Sequence, residues 1–392
     1  LEKFERKNKN MKKNTQNLII IGGGIMGLMS AYYASEFVDA ITILEKSTIG
    51  NKNAGTYAFT RSIRVDYLEP FYAMLAYETQ KLWLNLEEKS SKELFVKCGC
   101  LNLAKKTITP DFSSTYAEKS FKNIDDLNYG PIALNEKEMK KKFPQFEADM
   151  GRLDTKGGYL LVQNILKFLL TEIKKKKITI VENVDITGIQ EKNNVITIVT
   201  NKGTITSKKL IITAAKGTNE LLGNIKNNKI TFPITYERPQ RKYYYPPKGI
   251  AKLFLPENFP VFAYTDVGIY GHPIFDEKKG AVKVAYFVPV GIKKDSSKIT
   301  CVDDFVNECL PLLRNVPSEE IADADSCWYD TVLDDDFIIG NLPNFKNIII
   351  GTGFRGTGFK FAPLVGKILS ELALQNGTVY DIRQFSPARF GK

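Results

Sequence analysis

Three consecutive glycines, Gly22-Gly23-Gly24, stand between "LIII" (Leu18–Ile21) and "IMGLMSAYYAS" (Ile25–Ser35), and they constrain this chain more than any other feature. The β-branched run before them reads as a buried strand. The small-residue stretch after them reads as a helix over about Ile25–Phe37, and Ala40–Leu44 reads as a second strand. Gly22-Gly23-Gly24-Ile25-Met26-Gly27 therefore fits G-x-G-x-x-G inside a βαβ unit, the context that gives the motif meaning. Gly22 permits the tight turn, Gly24 lets the backbone approach a pyrophosphate, and Gly27 lets helix and strand pack closely. The helix N-terminus offers N–H groups and a positive dipole end to phosphate. Glu45 closes the second strand eighteen residues after Gly27, where its carboxylate can accept from both ribose hydroxyls and repels a 2′-phosphate. The motif alone leaves FAD and NAD both open.

The chain has 392 residues, room for two domains. No run approaches the ~20 apolar residues that span a bilayer. Leu18–Met29 is broken by glycines, and no small-residue cleavage site follows it, so the chain reads as cytoplasmic with no membrane association. Five cysteines at irregular spacing argue against a disulfide framework. With His272 as the only histidine, no metal site is expected. The net charge of +11 comes from scattered lysines, which suit a solvated surface better than a nucleic-acid partner. Residues 1–17 are polar without periodicity and read as a disordered arm.

Further along, 51–66 reads as a polar loop, Pro70–Lys89 as a long amphipathic helix, and Leu94–Lys105 as strand-like. "NEKEMKKKFPQF" reads as a helix stopped by Pro144, and Gly157–Lys177 as a turn entering a helix. Strands are expected at Ile178–Asn183, Ile186–Glu191, Val195–Thr200 and Lys209–Ala215. Ile230–Val290 is mostly β, "ITCVDDFVNECLPLLRNV" is helical, and Cys327–Leu374 alternates strand, glycine loop and helix. Dinucleotide-type pieces thus lie at the start, middle and end, with mixed β segments between. The expected fold is α/β: a Rossmann-like dinucleotide-binding domain (18–75, 150–228, 325–392) interleaved with a mixed β-sheet substrate domain (76–149, 229–324).

Four stretches resemble the monomeric sarcosine oxidase family, within the D-amino-acid-oxidase superfamily of flavin enzymes. They are "TRSIRVDYLEPFYAMLAYETQKLW" (Thr60–Trp83), "YGHP" (Tyr270–Pro273) with Lys283 ten residues on, "CWYDTVLDDDFIIG" (Cys327–Gly340) and "GTGFRGTGFKF" (Gly351–Phe361). The resemblance implies FAD, linked covalently through Cys327, as cofactor. It implies a secondary-amine amino acid as substrate, either N-methylated or cyclic. A hydride passes to flavin N5, and O₂ is reduced to hydrogen peroxide. Arg64 and Lys360 match the carboxylate clamp, a role that suits a planar fork and a point charge. Arg61 lies close by, where it can stabilise negative charge on the reduced flavin. Lys283 matches the lysine that favours electron transfer to oxygen, and a fixed cation beside developing superoxide explains why. Tyr270 and Tyr329 match walls of the substrate cavity. The cofactor set is completed by Ile25, Met26, Lys46, Val184, Gly353, Gly356 and Gly358. The family's proteins imply a monomer.

The pattern departs at three places. Phe287 stands where the family commonly has a histidine that contacts the substrate amine, which implies a different N-substituent. "GTYAF" (Gly55–Phe59) replaces a histidine-bearing stretch, and "AAKGT" (Ala214–Thr218) replaces "GAW". His272 sits within the matched "YGHP" turn and reads as structural. The rival readings are a primary-amine deaminating oxidase with non-covalent FAD, a flavin enzyme acting on modified RNA, an NAD dehydrogenase, and a non-catalytic binding protein.

Overall fold

The first strand runs over Gln16–Ile21, and all of Leu18–Ile21 is buried. In this computed structural model, which describes residues 15–275, 280–286, 299–320 and 328–391, that strand sits at the centre of a parallel sheet. The parallel order is Thr179–Val181, Ile41–Leu44, Gln16–Ile21, Gly203–Ile212, Ile348–Thr352. Continuous apolar strands are what a sheet covered on both faces requires. Gly203–Ile212 has two roles. Its first half pairs antiparallel with Val195–Thr200, and its second half lies between Gln16–Ile21 and Ile348–Thr352. The helix Ile25–Ala34 is buried on every side, so it has no polar stripe to advertise it. It packs on the helix Gly358–Leu374 so closely that a Cβ at Gly366 would lie 2.5 Å from Met29 Cβ.

These elements belong to one compact unit, made of the chain up to Tyr57, Leu166–Glu237 and the stretch from 328 onward. A second unit takes in Ala58–Ile165 and the chain from Arg238 to 320. Its main sheet has eight strands in the order Ser318–Glu319, Gln240–Tyr244, Val282–Tyr286, Ile269–His272, Val261–Tyr264, Cys100–Ala104, Met150–Asp154, Ile132–Asn135. Only Val261–Tyr264 and Cys100–Ala104 pair in parallel. One face is apolar: Val282, Val284, Leu101, Leu103 and Phe262 pack with Phe146, Phe254, Phe259 and Phe305. The other face carries two rows of cross-strand neighbours. Tyr243, Lys283 and His272 are directly opposed in one, and Arg241, Ala285, Tyr270, Ala263 and Asn102 in the next. A separate three-stranded sheet joins Thr60–Ile63, Gly158–Leu161 and Phe95–Val96.

The helix Pro70–Lys89 has both expected ends, with proline in its first turn and Lys89 in its last. Glu136–Lys142 is a helix that starts at a capping box between Asn135 and Glu138. Other expectations are corrected. The loop 51–66 contains the strand Thr60–Ile63, whose polar sequence hides it and whose partner Gly158–Leu161 occupies the expected turn. The first helix stops at Ala34, and Gln16 and Asn17 belong to the first strand rather than to an arm. "YGH" is the end of a strand, Ile269–His272, not a turn. A helix over Tyr116–Asp126 stands in a stretch given no element. The unit boundaries also differ: 58–75 and 150–165 pack with the second unit, and 229–237 with the first. Among the described residues, no helix is long and apolar enough to cross a membrane.

Candidate functional site

In the first unit, Gly22 has φ +104°, and a Cβ there would lie 2.3 Å from the carbonyl oxygen of Thr213. A Cβ on Gly27 would lie 1.9 Å from the carbonyl oxygen of Gly22. Both positions exclude any side chain, the first by conformation and contact, the second by contact. Gly24 differs. It is extended, and a Cβ would meet only Thr56 Oγ1, at 3.1 Å. The fold makes a lighter demand there, which leaves room for a demand from a ligand that approaches the backbone. The Ile25 N–H donates to Thr56 Oγ1 at 2.9 Å, and Ile25 and Met26 are buried behind the turn. Glu45 reaches back from its strand end: its carboxylate accepts from the Gly23 N–H at 2.6 Å and the Ser47 N–H at 2.8 Å. The Val184 N–H donates to the Glu45 carbonyl at 3.0 Å. Lys46 is exposed and paired with Glu220 at 3.1 Å. A glycine turn, a helix start and a carboxylate therefore converge, and this donor and acceptor set fits the pyrophosphate and ribose of a dinucleotide.

The C-terminal glycine loop lies beside that turn, since a Cβ on Gly358 would be 3.2 Å from Met26 Cε. Gly353 takes φ +69° and starts the loop. Its N–H donates to Asp330 Oδ2 at 3.0 Å. Burial pushes the Asp330 carboxyl up to about 6, against the pull of the backbone N–H groups of Phe354, Gly353 and Arg355. Arg355 pairs with Asp335 at 3.0 Å, so aspartates hold the loop at two points. The ring of Tyr329 lies against Gly356. Lys360 sits in the first turn of the helix Gly358–Leu374 and is 6% exposed.

In the second unit, Lys283 is 1% exposed and faces away from Val282 and Val284, as the alternation of its strand requires. Its direct cross-strand neighbours are Tyr243 and His272. Tyr270, two residues before His272, shares their face. His272 is fully buried with Nε2 2.8 Å from Ser62 Oγ. Ser62 thus turns toward that face, and strand alternation sends Arg61, itself buried, to the other side. Arg64 lies just past the strand and pairs with Asp66 Oδ1 at 2.7 Å. Its guanidinium lies 4.8 Å from the centre of the Tyr67 ring. The second Asp66 oxygen accepts from Asn102 Nδ2 at 2.7 Å. Asn102 belongs to the row that contains Tyr270 and Ala263, so Asp66 ties Arg64 to the same sheet face as Lys283.

Phe287 and Cys327 lie outside the described residues. Four polar residues at these places were not read from the sequence. Thr56 and Asp66 lie inside or beside quoted motifs, and Asp330 follows Tyr329 directly. Arg241 is a buried arginine on a strand, and only its alternation with Tyr243 hints at a polar face. Among the described residues, no three of His, Cys, Asp and Glu come together as a metal site.

The comparisons with known proteins bear on the family and the fold. The chain is 28% identical to the peroxisomal sarcosine oxidase of Homo sapiens over an alignment that covers 97% of each. It is 26% identical to the N-methyl-L-tryptophan oxidase of Yersinia pestis (strain Pestoides F), covering 95% of this chain and 99% of that one. In fold it is similar to the L-proline dehydrogenase of P.horikoshii, with a TM-score of 0.80 at 19% identity over 96% and 98% of the two chains. The glycine oxidase of Geobacillus kaustophilus gives 0.74 at 15% identity over 95% and 98%. Residues 17–372 match the family described as DAO, FAD dependent oxidoreductase, and the chain belongs to that family.

Proposed function

We propose that this protein oxidises a secondary-amine amino acid, N-methylated or cyclic, and passes the electrons to O₂. The observation that carries the reading is that, among the described residues, Lys283 and Lys360 are buried while the other lysines mostly lie toward the surface. Lys283 is 1% exposed and Lys360 is 6% exposed. Lysine is almost never fully buried unless a partner meets its charge. Both lie within residues 17–372, which match a family of FAD dependent oxidoreductases, and the similar curated proteins include oxidases of N-methyl amino acids.

The bound flavin supplies the two-electron acceptor. The C–H and N–H of the substrate yield two electrons and two protons, the C=N product is hydrolysed by water, and O₂ takes both electrons and both protons to become hydrogen peroxide. The residues of the chain orient and bias this chemistry. Gly22 to Gly27 and Glu45 hold the pyrophosphate and ribose. Arg64 and Lys360 meet the substrate carboxylate, and Tyr270 and Tyr329 line its path. Lys283 supplies fixed positive charge where oxygen gains an electron. Cys327 would hold the flavin by a thioether, its S–H and a ring-methyl C–H giving way to one C–S bond while the two electrons and two protons leave to O₂. The protein acts as a cytoplasmic monomer.

A peroxide-coupled screen of N-methyl and cyclic amino acids tests the reading. Turnover is expected for at least one of them, with formaldehyde released from an N-methyl substrate or a cyclic imine formed from a ring. Ammonia release from primary amino acids, with secondary amines inert, contradicts it. Flavin colour that stays with acid-denatured protein supports the Cys327 bond, and colour left in the supernatant contradicts it.

A further inference from the structure

We infer that Asp66 is a positioning residue that sets the orientation of Arg64 and so confers carboxylate selectivity. The inference rests on the proposed clamp role of Arg64. Among the described residues, every hydrogen bond given by Arg64 leaves from Nη1, toward the carbonyl and carboxylate of Asp66 and the Tyr116 hydroxyl. The Nε–Nη2 edge gives none to them. With Nη1 engaged, that edge is the one left with two parallel N–H groups for a carboxylate. The side chain of Arg64 is 13% exposed and that of Asp66 is 6% exposed, so the pair is held near the surface of a buried network.

Asp66 can hold the guanidinium still because its own position is over-determined. Oδ1 faces Arg64 and Oδ2 accepts from Asn102 Nδ2 at 2.7 Å. Asn102 is 1% exposed in the strand Cys100–Ala104, and its Oδ1 accepts from Thr265 Oγ1 at 3.2 Å. The Tyr116 hydroxyl donates to the Asp66 carbonyl at 3.0 Å. The Val65 N–H, between the two residues, donates to Asp154 Oδ2 at 3.2 Å. The pair carries no net charge, so attraction of an anion by bulk charge is weakened. Recognition then depends on direction: a carboxylate gains two N–H donors aimed at it, and an ester or amide gains less.

The test compares Asp66→Asn, the exchange Asp66→Asn with Asn102→Asp, and Arg64→Ala in the flavin-loaded enzyme, using the best substrate of the peroxide screen and its methyl ester. Asparagine has one acceptor oxygen and cannot serve both Arg64 and Asn102. Asp66→Asn is expected to raise KM for the carboxylate about tenfold or more, with kcat within about threefold and the ester little affected. The exchange restores the pattern, because the amide introduced at position 66 would then donate to the carboxylate introduced at position 102 and accept from Arg64, and KM is expected to recover. Wild-type KM in Asp66→Asn alongside an impaired Arg64→Ala overturns the positioning role alone. Equal losses for acid and ester, or no recovery in the exchange, also overturn it. A wild-type Arg64→Ala removes the clamp and this inference together.

Discussion

A Cβ placed on Gly356 would lie 2.5 Å from Cζ of Tyr329 and 2.6 Å from its Cε1. The tyrosine ring is therefore seated on a bare backbone, at the start of the strand Tyr329–Val332 and directly before Asp330, whose carboxylate holds Gly353. Gly356→Ala must push the ring away, since an aromatic ring is not a flexible tip. The variant is expected to lose about 1–3 kcal/mol of stability and to raise KM for substrate. Thermal unfolding and steady-state kinetics check this, and an unchanged KM would detach Tyr329 from the substrate path.

The two ends of the first glycine motif differ in what they forbid. Gly27→Ala sets a methyl group against the Gly22 carbonyl oxygen, a backbone atom that cannot yield. The expected loss is about 3 kcal/mol or more, visible as a fall in Tm or in soluble yield. Gly24→Ala meets only the Thr56 hydroxyl, so the apoprotein is expected to stay within about 1 kcal/mol of wild type. Its uptake of FAD, before any bond to Cys327 forms, should still weaken severalfold, as read by quenching of flavin fluorescence during titration of the apoprotein. Equal Tm losses in both variants would show that Gly24 serves only the fold.

Asp154 gives the second unit a pH dependence. Burial, then the neighbouring charge of Asp66, pushes its carboxyl up to about 7, against the hydrogen bonds from the Lys156, Val65 and Gly157 N–H groups. The unfolded chain releases this proton near pH ~4. Between ~4 and about 7 the native state therefore holds the extra proton, and stability falls as pH rises through that window. The slope from one group is at most ~1.4 kcal/mol per pH unit. Asp154→Asn removes it. The Tm of wild type minus that of the variant should decrease from pH 4 to 7 and level off above. A difference that stays constant across the window would contradict the assignment.

Lys283 separates the two half-reactions. Lys283→Met keeps length and burial and removes the charge. Reoxidation of the reduced enzyme by O₂ is expected to slow about 10²–10³-fold, while anaerobic reduction by substrate changes little. Stopped-flow measurement of each half-reaction decides it. A loss confined to the reductive half would move Lys283 from oxygen to substrate.

Much of this was legible because the residues concerned act locally. The glycine turn, the Pro70–Lys89 helix and the side of the strand that Lys283 takes, opposite to Val282 and Val284, each follow from spacing within one segment. Other features depend on partners far along the chain. Thr60–Ile63 becomes a strand through Gly158–Leu161, almost a hundred residues on, and its own sequence has no apolar alternation. Asp66 and Asp330 look like ordinary loop aspartates until Asn102 and Gly353 are brought to them. The helix Tyr116–Asp126 was readable, because Thr115 caps it by accepting from the Glu118 N–H, a Ser/Thr-x-x-Glu start that lies plainly in the sequence.

Anaerobic mixing of the purified, flavin-loaded protein with secondary-amine amino acids isolates the proposed transfer of electrons from substrate to flavin. An N-methyl or cyclic amino acid is expected to bleach the oxidised flavin absorbance, its methyl ester far less well, and air is expected to restore the colour with one peroxide formed per substrate. A bound flavin that no secondary-amine amino acid bleaches, or one bleached equally by acid and ester, would contradict it.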